Sequence, residues 1–157
     1  MAFFSELKSR SRVMSLTPQQ AIGVVALISL QASAEEIGAF DDQADVVIAA
    51  AMTLGLMTHT LPIFSNSHDN FHEEIQELTG KLKEECTLDE IISIVKSSLS
   101  PSLRETALAL ACDVILSDGF VSDTEEAFLS YLADDLDVSE ESKEIIMKAA
   151  MIRMRTV

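Results

Sequence analysis

The chain marks where its helices begin. Five times a capping residue is followed by residues suited to a first helical turn: Thr17-Pro18-Gln19-Gln20, Thr87-Leu88-Asp89-Glu90, Ser100-Pro101, Ser122-Asp123-Thr124-Glu125 and Ser139-Glu140-Glu141. A Ser or Thr hydroxyl at such a start accepts a hydrogen bond from the N3 amide, a Glu or Gln three residues on reaches back, and Pro suits N1 because its missing N–H would have no partner there. Between the starts, apolar residues recur at steps of three and four, and no segment alternates apolar with polar as a half-buried strand does. Gly and Pro number only 5 and 3. The expectation is an all-α chain.

Read in order, residues 2–14 form an N-terminal arm or short helix, with Phe3, Phe4 and Leu7 on one side and a basic tip at Lys8, Arg10 and Arg12. A helix from Thr17 to about Ala34 carries Ile22, Val25, Ala26 and Ile28. It is apolar nearly all round, so it should be central. A turn over 35–42 contains Gly38, and Asp41 or Asp42 caps a helix with Val47, Ile48, Ala51, Met52 and Leu54. Residues 58–67 are irregular. Helical spacing returns over 68–84 with Phe71, Ile75, Leu78 and Leu82, then over 87–98 with Leu88, Ile91, Ile92 and Val95 inward. The helix from Ser100 stops at Asp118-Gly119, the next carries Phe128, Leu129, Leu132 and Leu136, and the last ends near Arg153 and Arg155. Met52, Met57, Met147, Met151 and Met154 read as core packing. The sum is a compact single-domain helical bundle of about seven to eight helices, and 157 residues suffice to bury a core.

An offset of 82 residues lays the second half on the first: Asp118 falls on Glu36, Asp123 on Asp41, and Leu136-Asp137-Val138 on Leu54-Gly55-Leu56. This divides the chain into an arm (1–16), a first helical hairpin (18–57), insert helices (58–99) and a second, related hairpin (101–157).

Formal net charge is −15, with no Lys or Arg between Arg12 and Lys81 or between Arg104 and Lys143. A field of that sign repels phosphate backbones and disfavours nucleic acid, while attracting cations and basic partners. Two cysteines, Cys86 and Cys112, make no C-x-x-C pair and fit a reducing compartment. Charged residues occupy the place of a leader's apolar core, and no apolar stretch suits a membrane span. A cytoplasmic location is expected.

Chemistry concentrates in A-C-D-V-I-L-S-D-G-F-V-S-D-T-E-E, residues 111–126. Its second half looks like the end of an EF-hand loop, with Asp118 and Gly119 at loop positions 5 and 6 and Glu125 at position 12. Positions 1 and 3 would be Val114 and Leu116, which offer no side-chain oxygen, so a standard EF-hand is rejected. Asp113, Asp118 and Glu125 can instead converge on a hard divalent ion such as calcium, magnesium or manganese, with no base nearby in sequence to neutralise them. Each acid also has a structural role open to it: Asp118 as a helix stop, Glu125 as a cap, Asp113 in solvent. Glu36 is the weaker equivalent in the first hairpin. His68 and His72, four apart, share a helix face and suit zinc if His59 or Glu73 adds a ligand; zinc ranks behind the hard ions. No nucleophile elbow, phosphate-binding glycine loop or paired catalytic residues are visible.

The stretch A-L-A-C-D-V-I-L-S-D-G-F-V-S-D-T-E-E-A-F-L-S-Y-L-A-D-D-L-D-V-S resembles the TerB-like tellurite-resistance family: an apolar helix, an Asp-Gly turn, an acidic helix start and a Ser-capped final helix. The resemblance implies a compact all-helical cytoplasmic protein, an acidic divalent-metal site matched here by Asp113, Asp118, Glu125 and Glu126, and protein partners from a resistance system, some membrane-associated. The expected function is non-enzymatic, metal-responsive tellurite or stress resistance. A metal-independent acidic interaction module is the alternative, and a metal-dependent hydrolase at His68 and His72 ranks third.

Overall fold

The computed structural model describes residues 16–37, 61–65, 70–116, 121–153 and 155, and for 34–37 the backbone alone. These residues hold six α-helices: α1 (Pro18–Ile37), α2 (Phe71–Glu85), α3 (Leu88–Ser98), α4 (Pro101–Ile115), α5 (Asp123–Asp135) and α6 (Glu140–Arg153), with a 3₁₀ turn at Pro62–Phe64. Among the described residues there is no strand. The helices expected over 2–14 and 42–54 lie outside them, and with the latter the second half of the first hairpin.

All five capping starts are made. Gln20 N donates to Thr17 Oγ1 at 3.1 Å while Thr17 N donates to Gln20 Oε1 at 2.9 Å. Reciprocal boxes also form at Thr87 with Glu90 and at Ser122 with Glu125. Ser100 and Ser139 each accept one amide, from Leu103 and Ser142. The end of α5 uses the other device: Asp137 takes a left-handed φ of 56°, and Val138 N donates to Ala133 O at 2.9 Å, closing a Schellman turn. Lys96 at the end of α3 sits 2.5 Å from the Asp137 carboxylate, which the ammonium holds below its usual pKa range.

Helix α1 is the centre. Ala21, Ile22, Val24, Val25, Ala26, Leu27 and Ile28 are all buried. The helix packs on α2, α3, α4 and α5, most extensively on α4. Buried apolar side chains at every angle of the helix are what its all-round hydrophobicity requires. Ser29, also buried, donates to Val25 O, so its hydroxyl costs little. At Gly23 a Cβ would stand 3.0 Å from Ile75 of α2, so the two helices approach through the missing side chain. The 3₁₀ turn is pinned to the start of α1. Gln19 Nε2 donates to Ile63 O at 3.0 Å and to Ser65 O at 3.2 Å, and Phe64, 1% exposed, meets Phe71 with ring centroids 5.6 Å apart.

Four expectations are corrected. The first helix runs through Ile37 rather than turning after Ala34, because Glu35, Glu36 and Ile37 carry no break before Gly38. The helix expected from 68 begins at Phe71. Leu88 is 40% exposed, since it occupies N1, before α3 has turned its apolar face inward. Met151 is exposed, because α6 packs inward through Ile146, Met147 and Ala150 and Met151 points to the side of that face.

Candidate functional site

The α4–α5 junction sits between the buried end of one helix and the capped start of the next. Ile115 and Leu116 close α4 in the core, and Ser122 opens α5. Asp118 and Gly119, in the connection between them, lie outside the described residues. Of the other candidate ligands, Asp113, Glu125 and Glu126 can be placed.

Glu125 is 4% exposed. Its Oε1 accepts from Ser122 N at 3.2 Å, completing the capping box, and its Oε2 accepts from Ser33 Oγ of α1 at 3.0 Å. Among the described residues no Lys, Arg or His forms an ion pair with it. A carboxylate accepts about four hydrogen bonds, so the two donors leave room on both oxygens. Ser33 is itself 9% exposed, and the contact ties the end of the central helix to the start of α5 across 92 residues of chain. Glu126, one residue on, is exposed.

Asp113 corrects the expectation that no base would neutralise it. Arg153, at the end of α6, donates to Asp113 Oδ1 in an ion pair that is half exposed on the arginine side. The base comes from 40 residues downstream, because α6 folds back along α4. Beside it, Cys112 is buried, and burial, then the Asp113 charge, pushes its thiol up to about 12. Cys112 is therefore expected to resist alkylation at neutral pH until the protein unfolds. Mass spectrometry of reagent-labelled native and denatured protein checks this: modification of Cys112 in the native state would contradict it.

Of the remaining candidates, the backbone of Glu36 lies in the last turn of α1 rather than in a turn, and its side chain is outside the description. His72 is half-buried, with Nε2 3.9 Å from Glu73, and His59 and His68 lie outside the described residues. Among the described residues no three His, Cys, Asp or Glu side chains are grouped to hold a metal ion. No described helix is long and apolar enough to cross a membrane. Sequence reasoning missed Ser33 and Arg153. Arg153 carried a partial signal as one of few bases on an acidic chain, whereas nothing local marks Ser33 as the donor to a residue 92 positions away.

The family model described as tellurite resistance protein TerB matches residues 21–148, from the first buried turn of α1 into α6. The chain belongs to the TerB tellurite-resistance family. The matched span takes in the whole α4–α5 junction and both helices that hold Glu125 in place, so the TerB unit here includes Ser33 as well as the acidic stretch. Comparison with curated proteins and with solved structures gave no match.

Proposed function

We propose that this TerB-family protein serves tellurite resistance without catalysing a reaction. It binds a divalent cation at the α4–α5 junction and signals that state to a protein partner. The observation that carries the reading is Glu125: a carboxylate 4% exposed, held by one hydroxyl and one amide, with no cationic side chain paired to it among the described residues. A buried carboxylate is costly unless it is fully hydrogen-bonded, paired or metal-bound. Glu125 supplies an oxygen at the end of the acidic stretch, Asp118 and Glu126 are its neighbours in sequence, and Asp113 joins them if it exchanges Arg153 for the ion. An all-oxygen donor set suits calcium, magnesium or manganese better than zinc.

The test is thermal unfolding of chelator-stripped protein with each ion, in wild type and in Asp118→Asn. An ion at roughly 100 times its dissociation constant is expected to add about 2.7 kcal/mol of stability, and the mutant should lose that gain. No shift with any ion overturns the proposal. A zinc-only shift that Asp118→Asn leaves intact would move attention to His68 and His72, where a hydrolase would have to act.

A second reading is favoured by the Asp113–Arg153 pair and by the capping role of Glu125, which give both acids structural work. On that reading the acidic surface docks a basic protein with no metal. It predicts partner binding that weakens with salt and survives chelation.

A further inference from the structure

Where the end of α2 turns into α3, a cavity of about 330 Å³ opens against α1 and α5. Ile28 and Ala32 of α1, Leu88 and Ile91 of α3 and Phe128 of α5 wall it, with Cys86 at the turn. Ile28 and Ile91 are buried and form its inner side, while Leu88 and Lys83, both exposed, stand at its mouth. The volume lies at the lower end of the roughly 300–1,000 Å³ of small-molecule sites, and the wall is of the kind such sites have, mostly apolar with a few polar groups.

A cavity alone selects no ligand; the charge at its mouth does. Lys83 Nζ donates to Gln31 Oε1 at 2.9 Å, which holds the ammonium beside the opening. An ammonium carries three N–H donors, so this bond leaves two. No described ion pair engages Lys83. Among the described residues that line the cavity there is no Asp or Glu, on a chain with 26 acids against 11 Lys and Arg. We propose that the cavity binds a small amphiphilic carboxylate, its apolar tail between Ile28, Ile91 and Phe128 and its anionic head on Lys83. A cationic amphiphile would meet Lys83 with like charge and find no described acid in the lining to offset it. A neutral one would leave the ammonium to water.

The head stays near water, so its pairing with Lys83 adds what an exposed ion pair adds, and burial of the tail supplies most of the affinity. A ligand of about ten heavy atoms in a cavity open to water is expected to bind in the millimolar range. The net charge of −15 opposes any anion at long range. Measurement belongs near physiological salt, where a Debye length of about 8 Å screens that repulsion but leaves direct contacts.

Sodium octanoate is the probe, and methyl-resolved NMR of the full chain is the readout. The Ile28 and Ile91 methyls should shift and saturate, while those of the exposed Ile145 and Ile152 on α6 should not. Lys83→Gln should weaken octanoate by about two- to fivefold and leave octanol unchanged. Leu88→Asp, which sets an acid at the mouth, should weaken octanoate more than octanol. An acid in the first turn of α3 suits the helix dipole, so this variant should keep its fold, as circular dichroism can confirm. Octylammonium should shift the cavity methyls less than octanoate does, although the net charge of the protein favours it. No saturable shift overturns the proposal, as does an equal response from Ile145 and Ile152, which is adsorption of a surfactant. Binding of octanoate and octanol alike, indifferent to Lys83→Gln, overturns the anionic head and leaves an apolar side chain of a partner protein as the occupant. None of these outcomes depends on metal.

Discussion

Phe64→Ala is expected to cost about 3–5 kcal/mol, the range for emptying an aromatic site in a core. Phe64 stands on a three-residue turn, not on a long helix, yet it is 1% exposed. Its ring lies against Phe71 at an interplanar angle of 49°, a tilted contact of the kind aromatic pairs favour. Equilibrium denaturation reads the effect: the midpoint should fall with the slope unchanged. Gln19→Ala, which removes the two hydrogen bonds to Ile63 O and Ser65 O, should cost less, at about 0.5–1.5 kcal/mol for each bond. A loss below about 1 kcal/mol for Phe64→Ala would mean that the turn is not anchored as described.

Glu125→Ala is the second large effect, expected at about 2–4 kcal/mol without any added ion. Loss of the bond from Ser122 N, the reciprocal half of the capping box, contributes about 0.5–1.5 kcal/mol. The Ser33 hydroxyl, buried and left without its acceptor, adds about 1–3 kcal/mol. Glu125→Gln retains an acceptor oxygen and much of the shape, and should cost less. A double-mutant cycle with Ser33→Ala isolates the contact, with a coupling of about 0.5–3 kcal/mol expected. Additivity between the two sites would show that the carboxylate works through the cap alone. The metal-free cycle also supplies the baseline against which any ion-dependent stabilisation is measured.

The helix starts were legible in the sequence because capping is local: the donor and acceptor are three residues apart, and the caps at Thr17, Thr87, Ser100, Ser122 and Ser139 are all made. The central position of α1 was legible for a related reason, since a helix apolar on every side has no face to give to water. Leu88 and Met151 were misplaced because periodicity fixes which residues share a face, not whether a partner covers it. At the junction, the sequence named Asp113 and Glu125 as chemically unusual, and both have partners that local pattern cannot supply. Arg153 and Ser33 reach them only after α6 has folded along α4 and α1 has met α5. TerB membership was visible from the order of events over 101–150, and the family match extends it to 21–148.

The central place of α1 bears on how the protein emerges from the ribosome. The helix is made early, but α4, its most extensive partner, begins 64 residues after α1 ends. At about 5–20 residues per second, the most apolar of the described helices waits roughly 3–13 s for the surface that covers it. Ser33 waits longer still for Glu125. During that interval Ile22, Val25, Leu27 and Ile28 are presented to whatever is nearby. A holding chaperone, or slow synthesis with rapid capture by α2 and α3, is therefore expected to govern the yield of soluble protein more than the final stability does.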